Sequence, residues 1–129
     1  MFVTATSDIV NDQNVSYSVQ LNVVNPIPAG GYIVIYVPPE IGAVVGSIAG
    51  HCSINVNATS YVPTSCTATL GTNNGYLINF TNPFTSDLPT SSTFIAKISS
   101  IFTNPPSTRP TSSFALYTYH LNGYSIASI

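Results

Sequence analysis

Charge is what this sequence has least of. Of 129 residues, only Asp8, Asp12, Glu40, Asp87, Lys97 and Arg109 are ionised acids or bases, 5% of the chain, where soluble domains ordinarily carry about 25%. Two basic residues and a formal net charge of −2 cannot neutralise a run of phosphates, which excludes nucleic acid as a partner. The same scarcity removes the polybasic segment that anionic membranes attract. Long apolar runs are missing too. None approaches the ~18 residues of a membrane helix, so no direct membrane insertion is expected of this segment. The opening Met1-Phe-Val-Thr-Ala-Thr6 has neither the basic flank nor the apolar core of a secretory signal.

Catalytic equipment is equally thin. His51 and His120 are the only histidines, and no Gly-x-Ser-x-Gly elbow, phosphate-cradling loop or His-Glu-x-x-His occurs. General acid–base and nucleophilic catalysis both need positioned titratable groups, so the chain is expected to be no enzyme and to use no cofactor. Calcium needs six to eight oxygens from clustered ligands, and Asp8, Asp12 and Glu40 are scattered. His51 beside Cys52 has no second ligand pair for zinc. No metal site is expected.

What stands in place of charge is hydroxyl and amide: 17 Ser, 15 Thr and 12 Asn. A surface built from these is only marginally soluble, because near-zero net charge leaves nothing to keep molecules apart. Either glycans hydrate it or it packs against copies of itself, and both place the protein extracellularly or on a cell surface. Hydrophobic residues reach 44%, and 129 residues suit a single domain, 1–129, with a sizeable core.

Patterning predicts an all-β fold. Val15, Tyr17, Val19, Leu21 and Val23 alternate with Ser16, Ser18, Gln20 and Asn22, the period of two of a strand with one face in a core. Asn25–Gly31 reads as a turn, and Tyr32–Val37 as a more fully apolar strand ended by Pro38-Pro39. Weaker strands are expected near 47–55 and 65–70. A turn at Gly71–Gly75 leads into a strand at 76–82 with Tyr76, Ile78 and Phe80 on one face. In the strand at 93–102, Phe94, Ala96, Ile98 and Ser100 share a side. The last strands, 114–121 and 123–129, join through Asn122-Gly123, a favoured hairpin turn. The count is roughly seven to nine strands in an antiparallel sandwich, with Tyr17, Tyr32, Tyr36 and Tyr76 at core positions. The apolar strand pattern at the end of the sequence predicts one unit of a longer or repeating chain.

Cys52 and Cys66 bracket a polar stretch containing Asn55, Asn57 and Thr59. A disulfide between them would pin that loop and is the extracellular reading; two buried free thiols in a cytosolic domain are the alternative. Three sequons occur, at Asn14, Asn57 and Asn79. Composition alone yields about three such triplets, so their number carries no weight. Their placement does, since each falls at a turn or on the polar face of a strand. In the loop at 104–113, Ser107, Thr108, Thr111, Ser112 and Ser113 are candidates for O-linked sugars, with a plain solvated loop as the alternative.

Asn25-Pro-Ile-Pro-Ala-Gly-Gly-Tyr-Ile-Val-Ile-Tyr-Val-Pro-Pro39, the Cys52 and Cys66 pair, and Thr111-Ser-Ser-Phe-Ala-Leu-Tyr-Thr-Tyr119 together resemble the immunoglobulin-like repeats of large surface glycoproteins of unicellular eukaryotes. The resemblance implies tandem immunoglobulin-like β-sandwich domains, secreted or membrane-tethered, and transfers no binding residue. The sequence departs from true immunoglobulins in having no Trp and in cysteines too close together for the usual inter-sheet bridge. The expected role is a structural subunit of a surface coat or filament, with covalent glycans and copies of itself as partners. Phe2, Val3, Ile126 and Ile129 are the residues expected to meet a neighbouring copy. An adhesin or carbohydrate-binding module using a loop tyrosine such as Tyr61 is the alternative.

Overall fold

In the computed structural model the described residues are 2–7, 9–22, 29–48, 50–56, 59–61, 65–71, 74–81, 93–105, 114–119 and 125–128. They form twelve strands: β1 (Phe2–Ala5), β2 (Val15–Asn22), β3 (Tyr32–Val37), β4 (Gly42–Ala43), β5 (Gly46–Ser47), β6 (Cys52–Val56), β7 (Thr59–Tyr61), β8 (Ser65–Leu70), β9 (Tyr76–Thr81), β10 (Thr93–Thr103), β11 (Ala115–Tyr119) and β12 (Ser125–Ser128). Every pairing among them is antiparallel. The excess over seven to nine comes from β4, β5 and β7, two or three residues each. Such short pairings are backbone bridges with too few residues to leave an alternating pattern.

One six-stranded sheet runs β1-β2-β10-β6-β7, with β4 pairing β10 off that path; the other runs β12-β11-β3-β9-β8-β5. Their inner faces share one core. Val15, Tyr17 and Val19 of β2, Ile54 of β6 and Ala96 and Ile98 of β10 meet Ile33, Ile35 and Val37 of β3, Ala68 of β8, Ile78 and Phe80 of β9 and Leu116 of β11. Burying each large aliphatic or aromatic side chain stabilises the fold by about 1.5–3 kcal/mol. In β2, Val15, Tyr17 and Val19 are buried as the sequence predicts, but Ser16 is buried as well; in β9, Ile78 and Phe80 are buried and Tyr76 packs partly against the core. The alternation of β3 is sharper than expected: Ile33, Ile35 and Val37 are buried, while Tyr32, Val34 and Tyr36 lie half-exposed on the outer face. Tyr32 and Tyr36 are therefore not core residues.

Strand β10 departs from its predicted phase. Ile98 pairs with Tyr17, but the next partner pair is Phe102 with Val15, so β10 carries extra residues that bulge out of the ladder. Ser100 takes a left-handed conformation at φ 61° and is exposed, while Ile101 and Phe102 are both buried. Backbone groups at the bulge find partners on both sides of it. Ser100 N–H donates to Ser16 Oγ at 2.9 Å, and Ser16 N–H donates to Thr6 Oγ1 at 3.1 Å. Ser99 N–H donates to the His51 carbonyl at 2.7 Å. Beyond the bulge, β10 exchanges β6 for β4 as its neighbour.

A second polar knot closes this end of the sheet. The Tyr17 hydroxyl donates to Asn104 Oδ1 at 2.8 Å, and Asn104 Nδ2 donates to the carbonyls of Ser7 and Ile9 at 3.0 and 2.9 Å. Asn104 is buried, so its carboxamide is satisfied entirely by the chain and holds the 7–12 segment against the end of β10. Tyr17 itself packs edge-on to Phe102 with ring centroids 5.1 Å apart. Tyr17→Phe is expected to cost about 1 kcal/mol in denaturant unfolding, and Asn104→Ala about 2–3 kcal/mol, because it strands a buried hydroxyl and two carbonyls. The two losses should fall short of additive in the double variant. Burial raises the Tyr17 pKa above its ordinary value, so the neutral phenol is the form the folded state favours. The corresponding stability is intact below about pH 10, the unfolded value, and is lost as pH climbs through the raised one. Urea midpoints between pH 8 and 11 should show that loss in the native chain and a smaller loss in Tyr17→Phe.

Candidate functional site

The cysteines are joined. Cys52 lies on β6 and Cys66 on β8, with Cα atoms 6.5 Å apart and the bridge formed. Those strands belong to opposite sheets, so the bond is a clasp through the core rather than a pin across a surface loop. Spacing misled the sequence reading here, because the chain changes sheets between β7 and β8, within the 14 residues that separate the cysteines. It leaves β5 in the second sheet, visits β6 and β7 in the first, and returns to β8. Gly50, between β5 and β6 at φ 92°, takes a conformation there that side chains seldom adopt. Both cysteines are buried.

His51 is exposed and structural. Its Nδ1 lies 2.8 Å from the Ser99 carbonyl, and since a carbonyl only accepts, Nδ1 carries the proton. It braces the β10 bulge from the side opposite Ser16. Asp12 is half-buried, and its Oδ1 accepts from Gln13 N–H; Glu40 is exposed. Among the described residues no three His, Cys, Asp or Glu side chains converge, and no helix is long and apolar enough to cross a membrane. His120 and Asp8 lie outside the described residues.

Of the three sequon asparagines, two are described. Asn14 is exposed at φ 56°, at the turn before β2, while the hydroxyl of its Ser16 is engaged by the β10 bulge. Asn79 points outward from β9, between Val34 on β3 and Thr67 on β8, with Thr81 exposed two residues on. Asn57 lies outside the described residues, as do Ser107, Thr108, Thr111, Ser112 and Ser113. The side chain of Tyr61 lies outside them too.

The four residues expected at a self-association edge fall on β1 and β12, except Ile129, which lies outside the described residues. β1 ends the first sheet and β12 the second. The disulfide ties β6 to β8 toward one side of the two sheets, and Tyr17 of β2 meets Phe114, just before β11, toward the other, with centroids 5.8 Å apart. β1 and β12 therefore lie on the same side of the two sheets, the Tyr17–Phe114 side, and among the described residues each pairs with a strand along one edge. Val3 is partly buried against the core.

Two surface features were missed by sequence reasoning. Exposed apolar side chains include Ile9, Val10, Val44, Val45 and Leu70. Ile9 and Val44 sit on segments bonded to the end of β10, through Asn104 and Ile101. The other feature is a tyrosine-rich outer face on the second sheet. Tyr32 and Tyr119 stack there at 4.8 Å and 15°, beside Tyr117 and Tyr36. Tyr36 covers Gly75, where a Cβ would overlap its ring. The signal was available: Tyr-x-Val-x-Tyr at 32–36 interleaves with Ile-x-Ile-x-Val at 33–37, and the wholly aliphatic set is the one that belongs inside.

Opening the Cys52–Cys66 bridge by reduction, or in the double variant Cys52→Ala/Cys66→Ala, should lower unfolding stability by about 3 kcal/mol, the loop-entropy value for this separation. Denaturant midpoints with and without reductant measure it.

No known protein family and no curated protein matches this chain by sequence.

Proposed function

We propose that the chain is a structural subunit of an extracellular coat or filament, a glycoprotein that assembles with copies of itself through β-sandwich contacts, and that its fold is immunoglobulin-like. One observation carries this reading. Lys97 is the only Asp, Glu, Lys or Arg on any of the twelve strands, so two broad sheet faces and their edges are almost without charge. Sheets that remain dispersed usually guard their edges with charge, proline or a covering segment, and β1 and β12 have no charged residue or proline. Strand addition along these neighbouring edges and burial of the exposed valines and isoleucine near the end of β10 would both join copies, and a contact that repeats without closing makes a fibre. The core-bridging disulfide suits an oxidising exterior.

Strand order supports the immunoglobulin-like assignment. β1-β2-β10-β6 follows the A-B-E-D order, and β12-β11-β3 the G-F-C order. The β8–β9 hairpin is an addition beside β3, inserted in the chain between the D-like and E-like strands. An adhesin or carbohydrate-binding module is the second reading, favoured by the outer tyrosines.

Sedimentation velocity and negative-stain electron microscopy of the secreted chain test the proposal. Concentration-dependent assemblies are expected, and lysine introduced on the edges by Thr4→Lys and Ile126→Lys should shift them toward monomer with unchanged far-ultraviolet circular dichroism. Monomers alone at every concentration, combined with reproducible binding on a glycan array, would replace this reading with the adhesin.

A further inference from the structure

The outer face of the second sheet has at its centre the residue that could cover it. Across the middle of the sheet, Tyr117 of β11, Val34 of β3, Asn79 of β9 and Thr67 of β8 stand opposite one another. Tyr32 and Tyr36 flank Val34 along β3, two residues to either side. They are diagonal neighbours of Asn79, at about 7–8 Å, within reach of a side chain or one sugar ring. The face carries no Asp, Glu, Lys or Arg. Among the described residues, Asn79 Oδ1 is the buried side-chain nitrogen or oxygen left without a hydrogen-bond partner. Asn79 as a whole is only partly enclosed. Asn79-Phe-Thr81 is a sequon, and Asn79 and Thr81 share this outer face.

We propose that the glycan attached to Asn79 lies down on this face, its proximal sugars packed over Tyr32, Tyr36 and Tyr117, and is the sheet's covering layer rather than a freely mobile chain. The proposal rests on the glycoprotein reading above and adds where the sugar sits and what it touches. Attachment replaces one Nδ2–H by a bond from Nδ2 to the anomeric carbon of a sugar delivered on a polyprenyl diphosphate. The diphosphate leaves with the electron pair of the broken C–O bond, and the amide proton passes to a base of the transferase. The chemistry of the bed matches the occupant. Ring faces are electron-rich and attract the weakly positive C–H face of a pyranose, phenolic and threonine hydroxyls exchange hydrogen bonds with sugar hydroxyls, and a charge-free surface suits a neutral ligand. A second copy of the chain could hide the tyrosines as well, but at Asn79 the covalent attachment point is already in the middle of the face.

Glycopeptide mass spectrometry of the full chain secreted from a eukaryotic host, read separately at Asn14 and Asn79, comes first. Nuclear magnetic resonance of the same protein with labelled tyrosine follows. The expected result is an occupied Asn79 whose first sugar protons are shifted upfield by ring currents and show cross-relaxation to the rings of Tyr32, Tyr36 or Tyr117. Those tyrosine signals should move in the Thr81→Ala variant, which keeps Asn79 and removes the sequon. Tyr117→Ser should weaken the sugar shifts without changing occupancy. An occupied Asn79 with sugar signals at their free-solution positions overturns the inference and leaves the glycoprotein reading intact, as does a glycan on Asn14 with Asn79 bare. A chain bare at every sequon overturns both. Binding of a free oligosaccharide to the tyrosines of the native, Asn79-glycosylated protein would also overturn it, since the bed would then be open.

Discussion

Strand β10 is hydrogen-bonded on both sides, to β2 on one and to β6 and then β4 on the other, and the first sheet takes its register from it. Strict alternation along β10 would bury Ser100 and turn Ile101 out to solvent. The bulge reverses that choice, placing two consecutive apolar side chains in the core and a serine outside. Such a slip is tolerable only if the displaced backbone groups keep partners, since a buried unpaired donor costs as much as several buried methylenes would contribute. Ser16 supplies one partner and His51 another. A serine on the expected polar face of β2 is therefore buried, and a histidine that might have been a catalytic base is a brace.

The sandwich is held at two flanks by different chemistry. On one, the disulfide joins β6 to β8 covalently. On the other, Tyr17 reaches from β2 past Phe102 and Phe114 to Asn104, whose amide gathers in the carbonyls of the 7–12 segment. The first acts chiefly by restricting the unfolded chain. The second acts in the folded state, through a buried network in which every hydrogen bond depends on the others. Between them lies a core of aliphatic side chains and a few aromatics, with polar groups admitted only where they are paired.

Outside the core, the sparing use of charge leaves broad surfaces with little to repel a neighbour. Tyrosine, threonine and asparagine side chains cover the second sheet, and apolar side chains stand exposed near the end of β10.

Much was legible from composition and period. The all-β class, the inward apolar sets of β2 and β9 and the poverty of charge all follow from local residue choice, because a strand with one buried face must alternate. Long-range decisions were not legible. Whether Cys52 and Cys66 close a loop or bridge two sheets depends on the chain changing sheets between β7 and β8, and no local pattern records a crossing. Whether Tyr32 and Tyr36 or their aliphatic neighbours turn inward in β3 was decided by which set packs better against the other sheet. The phase slip in β10 was decided by partners far away in sequence, Ser16 and His51. Sequence determined what each strand could offer, and tertiary packing decided which offer was taken, because burial and hydrogen-bond satisfaction are settled between elements and not within them.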